Sequence, residues 1–307
     1  GCYGHNGADD AAADAALLAR AVPGRPVQLQ WTREDELGSA PFGAAMAVDL
    51  KATVDGNGRI ASWQHDVWST GHSMRPGRNK TPLLLAASLL EKGFETQVAI
   101  NMPSASGGGA ERNSAPLYDF EQWRATSHRS LVMPLRTSSL RSLGAHCNVF
   151  AVESFMDEIA AAMQVDPLDF RLRHLSDPRA LEVLEAVAAM SGWRNRDQSK
   201  AGREGRGMGL AFARYKNTGA WCAVVAMIDA GQEVRVEKLW LAVDVGRVVN
   251  LDGVVNQIEG GAIQTVSWVL KEQGQFDRMR VLSNTWESYP ILRFSEVPAV
   301  EVRVLDR

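Results

Sequence analysis

Cysteine is scarce in this sequence of 307 residues. Cys2, Cys147 and Cys222 lie far apart and form no CxxC pair. A disulfide framework needs several cysteines in a short chain, and a structural zinc or iron–sulfur site needs closely spaced ligands. We therefore expect neither in this chain alone and interpret the three thiols as small packing residues.

A strong charge of one sign and long apolar runs are also missing. The formal net charge is −3, with 45% hydrophobic and 22% charged residues, a composition typical of a globular protein. No basic surface is indicated for a nucleic acid, and no apolar run reaches the roughly 18 residues of a membrane span. Because the chain opens on glycine rather than Met, we expect its true N-terminus to be missing, which leaves its localisation open.

Common catalytic signatures are absent as well. The sequence contains no HExxH, GxSxG or GxxxxGK[ST] motif, and its six histidines show no i, i+4 pair. We predict that each histidine is structural or solvated. The residues thus provide no self-contained metal site and no recognisable hydrolytic triad.

The distribution of apolar residues predicts an α+β protein. In the first part we expect a buried, alanine-rich helix at 8–22, a half-buried strand at 27–32, a hairpin of strands 46–54 and 59–68 around the turn 55–58, irregular loops over 69–128, and helices at 148–165, 166–175 and 179–190. In the second part we expect antiparallel strands at 222–228 and 233–245 and a buried helix at 252–271. The polar segment 194–206 is interpreted as a linker between a first lobe, 1–193, and a second lobe, 207–307.

Two interpretations compete for the glycine-spaced opening, "GCYGHNG". Gly1, Gly4 and Gly7 before a helix either form a tight turn or expose main-chain N–H groups to an anion. A nicotinamide dinucleotide fold is the specific rival, with acids at 34–36 after the next strand as ribose ligands. The GxxGxxG spacing, the lack of a strand before the loop and the hairpin that follows all count against this rival.

Two further segments could face a ligand. "LRTSSLRSLGAHCN", at 135–148, places arginines before a long helix, where they either are solvated or bind an anion. "NQIEGG", at 256–261, puts two glycines inside an apolar helix at a cost of about 1 kcal/mol each relative to alanine. That cost predicts a close approach by a neighbouring element or by a cofactor.

Taken together, the sequence resembles the molybdopterin-binding subunits of the xanthine oxidase family, in the branch of isoquinoline 1-oxidoreductase and nicotinate dehydrogenase. The resemblance is carried, in family order, by "GCYGHNGADDAAADAALLARAVPGRPVQLQW", "LRSLGAHCNVFAVESFMDEIA", "DPLDFRLRHLSDPRA", "FARYKNTGAWCAVVA", "AVDVGRVVNLDGVVNQIEGGAIQTVSWVLKEQ" and "YPILRFSEVPAVEV". It implies a two-lobed molybdopterin-binding domain of mixed sheets and packed helices.

The resemblance also implies which residues bind the cofactor. Tyr3 and Gly4 match the family's aromatic–glycine pair, and Arg141 and Gly144 match its RxxG segment. In the QxEG segment, the matching positions are Gln257, Gly260 and Gly261. The family's catalytic glutamate would lie beyond Arg307, so we expect an internal fragment of a longer subunit, and neither Glu296 nor Glu301 matches the glutamate motif.

The implied function is oxidative hydroxylation of an N-heterocycle or an aldehyde with oxygen from water. The implied cofactor is molybdenum–molybdopterin, as its cytosine dinucleotide, and electrons would leave through a [2Fe–2S] partner subunit in a bacterial cytoplasm or periplasm. No nucleic acid and no membrane span are expected for this chain. Two alternatives remain at this point: a nicotinamide-dependent oxidoreductase, or a fragment that is catalytically silent and serves as a scaffold.

Overall fold

The computed structural model describes residues 9–74, 84–93, 98–196, 205–216 and 219–307, and the main chain of residues 4–5. In these ranges the strands are β1 (Gly4–His5), β2 (Met46–Val54), β3 (Ile60–Ser69), β4 (Gln122–Arg129), β5 (Ser139–Leu140), β6 (Arg206–Tyr215), β7 (Gly219–Ala230), β8 (Val234–Asp244) and β9 (Ala299–Val304). The α-helices are α1 (Asp10–Ala21), α2 (Arg33–Ser39), α3 (Ala86–Leu89), α4 (Ala145–Ala162), α5 (Pro167–Arg173), α6 (Pro178–Ser191) and α7 (Leu251–Leu270). The α+β class is confirmed.

The first larger sheet contains the predicted hairpin. Strands β2 and β3 pair antiparallel, and the Asp55 carboxylate accepts hydrogen bonds from the main-chain N–H groups of Asn57 and Arg59, which closes the turn. Strand β4 adds to β3 in parallel. Our expectation of irregular loops throughout 69–128 was therefore wrong at its end, because polar side chains such as Gln122 and Arg124 hide the alternation of an edge strand.

The second sheet has the order β6-β7-β8-β9. The predicted antiparallel strands at 222–228 and 233–245 are confirmed as parts of β7 and β8, and β9 returns parallel to β8. Helix α7 packs one side on this sheet, with Ile258, Ala262 and Val266 against Leu239 and Leu241. The sheet thereby fixes the orientation of α7.

Helices α5 and α6 lie close to the predicted ranges 166–175 and 179–190, and α6 begins one residue earlier than predicted. The side chains of Asp166 and Asp177 cap them by accepting hydrogen bonds from main-chain N–H groups, and each is followed by proline. One hydrophobic core joins α4–α6 to both larger sheets and includes Trp63, Met156 and Phe212. This core contains residues from both sides of 194–206, and the division into two lobes stays a prediction.

A buried ionic network fixes α4, α5 and β6 to one another. The fully buried Arg171 guanidinium donates to Glu153 Oε2 at 2.9 Å and to Asp157 Oδ1 at 2.6 Å. Glu153 also accepts hydrogen bonds from the Tyr118 hydroxyl and the Phe212 N–H. Desolvation alone would lower the pKa of Arg171, but the neighbouring carboxylates raise it above its usual value, so the guanidinium stays charged.

Three predicted elements differ from the structure. Helix α1 lies at the surface, with Asp10 as its buried residue and Leu18 49% exposed, because alanine favours a helix whether or not the helix is buried. Residues 27–32 have alternating burial but form no strand, and the acids at 34–36 lie in α2 instead of at a strand end. Helix α7 is half-buried, since it covers the sheet with one side only.

Candidate functional site

Strands β1 and β5 bring the glycine-rich opening next to the arginine segment. Gly4 stands opposite Leu140 in an antiparallel pair, so its main chain lies about one strand spacing, roughly 5 Å, from the residue before Arg141. Tyr3 lies outside the described residues. The structure thus places two of the predicted segments side by side through main-chain pairing.

The main chain after Arg141 takes an uncommon conformation. Ser142 and Leu143 both have positive φ, 73° and 54°, a backbone conformation that residues other than glycine rarely adopt. The Leu143 N–H donates to the Leu140 carbonyl at 3.0 Å, and the Ala145 N–H donates to the Ser142 carbonyl at 3.1 Å. These bonds make a tight turn that leads from β5 into α4, and two strained residues at one position are typical of a functional site.

The Arg141 guanidinium lies directly on helix α7 at Gly261. A Cβ built on Gly261 would be 3.1 Å from Nη2 and 3.4 Å from Cζ of Arg141, which is tighter than most contacts of that kind. The close approach expected for this glycine helix is therefore made by a neighbouring element, the arginine itself. This contact joins the segment after β5 to the helix that packs on the second sheet.

Helix α7 presents the remaining predicted residues around this contact. Gln257 lies four residues before Gly261, so both are on the same side of the helix, and the Gln257 side chain is exposed. Gly260 is adjacent. Trp268, on the same side two turns later, meets His146 edge to face, with ring centroids 5.6 Å apart. Arg141, just before α4, and His146, in its first turn, therefore both contact this side of α7.

Gly144 is tied to the turn at 109–112. Its N–H donates to the Gly109 carbonyl at 3.1 Å, and a Cβ on Gly144 would lie 2.3 Å from the Ala110 carbonyl oxygen. One helical turn later, Asn148 donates from Nδ2 to the carbonyls of Ala110 and Arg112. Gly144 thus fills a packing role at the helix start, where no side chain would fit.

A guanidinium, a histidine and a thiol lie close together in this site. The Arg141 guanidinium offers up to five N–H donors, and α4 begins beside it with the positive end of its dipole. The His146 ring keeps an exposed edge, yet the packed protein lowers its pKa by desolvation, and burial raises the pKa of the Cys147 thiol. The arrangement suits an anion held by an arginine and main-chain groups, without a thiolate ligand.

A family model described as a molybdopterin cofactor-binding domain matches residues 151–298. The chain aligns over its whole length with a nicotinate dehydrogenase subunit of Pseudomonas putida, at 39% identity, and with the beta subunit of isoquinoline 1-oxidoreductase from Brevundimonas diminuta, at 32% identity. The chain belongs to the molybdopterin-binding subunits of the xanthine oxidase family. It spans 26% and 37% of the lengths of these two relatives.

Solved structures share the fold of this molybdopterin-binding chain. Quinoline 2-oxidoreductase from Pseudomonas putida 86 superposes with a TM-score of 0.70 at 13% identity, covering 95% of this chain and 58% of that one. The aldehyde oxidoreductase from Desulfovibrio desulfuricans has a TM-score of 0.73 at 12% identity, covering 100% of this chain and 48% of that one. The expected fold of the molybdopterin-binding domain is thereby confirmed.

Two groups of acids in the molybdopterin-binding chain have local structural roles. The Asp35 carboxylate accepts the Thr32 N–H at 2.8 Å in a capping box of α2, so one of the acids that supported a nicotinamide site is already used. Glu296 pairs with Lys271, and Glu301 pairs with Lys238 at 2.8 Å. Each of these glutamates is therefore used in an ion pair with a lysine.

Over the described ranges of the molybdopterin-binding chain, no group of three or more His, Cys, Asp and Glu side chains could hold a metal ion, and no helix is long and apolar enough to cross a membrane.

A separate cleft of about 440 Å³ opens between the end of α2, the segment 133–136 and the turn at 277–281. Its wall includes Met74 and Arg136, whose guanidinium binds the buried Asp10 carboxylate at 2.8 Å. This ion pair connects the first residue of α1 to the segment 133–136.

Sequence reasoning missed His146, Trp268, His65 and Asn148. The histidines carry no pairing signal in the sequence, and an asparagine in the first turns of a helix has no pattern of its own. The only available hint was position: His146 and Asn148 follow the RxxG segment within four residues of Gly144. Their roles depend on contacts with residues that are distant in the sequence.

Proposed function

We propose that the whole protein hydroxylates an N-heterocycle, using oxygen from water, and passes the electrons to a [2Fe–2S] partner subunit. The observation that carries the proposal is the contact of Arg141 with Gly261 beside the main chain of Gly4. The names of the two curated relatives, a nicotinate dehydrogenase and an isoquinoline 1-oxidoreductase, both denote N-heterocycles and favour that class over an aldehyde.

The residues around Arg141 fit an anionic pterin cofactor. A cationic fork lies against α7 at a position without a Cβ, so the guanidinium reaches the helix surface and can donate to a ligand bound beside it. When bound, the molybdenum–molybdopterin group would supply Lewis acidity and take up the electron pair of the oxidised carbon. We include its cytosine dinucleotide form in this proposal.

Apart from Gly144, which packs on the turn at 109–112, each predicted residue has a task in holding the cofactor. Arg141 donates N–H groups to its anionic oxygens, and its charge offsets theirs. The Gln257 amide donates and accepts hydrogen bonds from the same side of α7, while Gly260 and Gly261 keep the helix surface free of side chains. The main chain of Gly4, which pairs with Leu140 next to Arg141, offers its N–H group, and Tyr3 keeps the role in cofactor binding that the family resemblance implies.

The experiment replaces Arg141 in the full-length protein, produced together with its partner subunit. We expect Arg141→Ala to lower the molybdenum and pterin content of the purified protein at least about tenfold, because a charged, forked hydrogen bond is lost. Arg141→Lys keeps the charge without the fork, and we expect intermediate retention. The control is Arg235→Ala, which removes an arginine 77% exposed at its side chain on β8.

Equal molybdenum and pterin contents in all three variants and the parent would refute the proposed site. In that case the catalytically silent scaffold becomes the better account of this chain. Turnover of nicotinate-like and isoquinoline-like rings against simple aldehydes by the parent enzyme decides the substrate class, and oxidation of aldehydes alone would contradict the choice of an N-heterocycle.

A further inference from the structure

A buried amide holds the turn at 109–112. The side chain of Asn148 is fully buried, and its Nδ2 donates to the carbonyls of Ala110, at 2.8 Å, and Arg112, at 2.9 Å. Its Oδ1 lies 3.0 Å from Nε2 of His65, which is itself fully buried on β3. One side chain of α4 therefore connects the first larger sheet to a turn 36–38 residues before it in the sequence.

The hydrogen bonds of this amide have one possible direction. Turning the amide over would place Oδ1 against two carbonyl oxygens, so Nδ2 must face them and Oδ1 must face His65. His65 then donates from Nε2 and is neutral, in agreement with the burial that lowers its pKa. Its Nδ1 is left buried without a partner among the described residues, which is a cost that a purely structural histidine rarely carries.

The turn that Asn148 holds is the support of the Arg141 segment. Gly144 donates its N–H to the Gly109 carbonyl, and it packs on Ala110 so closely that a Cβ would be 2.3 Å from the oxygen. The Asn148 N–H in turn donates to the Gly144 carbonyl at 3.0 Å. Arg141 is thus fixed on one side by the pairing of β5 with β1 and on the other by Gly144.

We propose that Asn148, oriented by His65, is a positioning residue: by fixing the turn at 109–112 it holds the Arg141 guanidinium on Gly261. This inference rests on the proposed function of Arg141 and extends it to two residues that do not touch the cofactor. The physical reason is that Ser142 and Leu143, both with positive φ, can relax as soon as the support of Gly144 moves.

The test uses three variants of the full-length protein. Asn148→Asp changes one atom and turns a donor to two carbonyls into an acceptor that repels them. His65→Gln keeps an N–H donor for Asn148, so the amide should still hold the turn at 109–112 in place. Val187→Ala, in the buried core of α6, is the matched control that destabilises the chain without touching the turn.

Two measurements are made on each variant. Hydrogen exchange of the cofactor-free protein reports the N–H groups of residues 141–147, and we expect Asn148→Asp to raise their exchange at least about tenfold while Val187→Ala leaves them unchanged. The rate at which the loaded protein releases its pterin should rise about 10- to 100-fold in Asn148→Asp, as for other groups that orient a cofactor's ligands. His65→Gln should resemble the parent in both measurements.

The outcomes separate this inference from the proposed function. Faster exchange at 141–147 together with faster pterin release in Asn148→Asp supports the inference. Unchanged exchange, unchanged release, or equal effects in Val187→Ala overturns it. If Arg141→Ala releases pterin faster while Asn148→Asp does not, the inference fails and the proposed function stands; if Arg141→Ala changes nothing, the proposed function itself fails.

Discussion

Replacing Gly261 with alanine should separate stability from cofactor binding in this protein. The change adds one methyl group to the middle of α7, at the point where the helix meets the Arg141 guanidinium. Alanine is the better helix former by about 1 kcal/mol, which favours the variant. The new Cβ would lie 3.1 Å from Nη2 of Arg141, so the guanidinium must move by a few tenths of an ångström.

The balance of these effects follows from what the methyl group meets. The contacted atoms are the end of a long, flexible side chain, which can shift at little cost. We therefore expect a free energy of unfolding between unchanged and about 1 kcal/mol higher, equivalent to a rise in melting temperature of at most about 2 °C. Cofactor retention should nevertheless fall about tenfold, because the displaced fork no longer matches the anionic oxygens.

The assay compares the melting temperature of the cofactor-free protein with the pterin content of the loaded protein. Gly209→Ala on β6 is the control, since a Cβ there meets nothing within 4 Å. A variant that melts well below the parent would show that Gly261 is packed against an immovable neighbour. A variant with full pterin content would show that the position of Arg141 does not matter for binding.

Two further predictions concern neighbouring packing and pH. Gly144→Ala should lower the free energy of unfolding, measured by chemical denaturation, by at least about 1–3 kcal/mol, because the Cβ of the new alanine meets the main-chain oxygen of Ala110, which cannot give way. An unchanged free energy of unfolding would contradict this packing. Asp244→Asn should cost about 2–3 kcal/mol at neutral pH, since it breaks a buried carboxylate pair with Arg179. Hydrogen bonds from Arg179 and Arg307 hold the pKa of Asp244 well below its usual range. Its contribution to the free energy of unfolding is therefore complete above about pH 4 and is lost as the pH falls through the lowered pKa. A stability difference between parent and variant that grows on acidification would refute this.

The elements that could be predicted are those with a local cause. The hairpin of β2 and β3 follows from alternation and the turn around Asp55, and α5 follows from an aspartate cap before proline. Burial could not be predicted in the same way. Alanines indicated the helix α1 but not whether anything covers it, and residues 27–32 alternate in burial without belonging to a strand.

For the candidate site, the sequence located segments but not their contacts. The two glycines in α7 predicted a close approach, yet only the structure assigns that approach to Arg141. Positive φ at Leu143 could not be predicted either, since a bulky residue disfavours it. The pairing of Asn148 with His65 spans 83 residues of sequence and has no local signal.

We propose that one molybdenum–pterin group binds where Gly4, Arg141 and α7 meet. The most direct test is the anomalous scattering of molybdenum in crystals of the loaded full-length protein. We predict a single molybdenum peak in this chain's vicinity, beside the Arg141–Gly261 contact and on the side of α7 that carries Gln257. A peak in the cleft lined by Met74 and Arg136, or on the sheet-facing side of α7, would contradict the account.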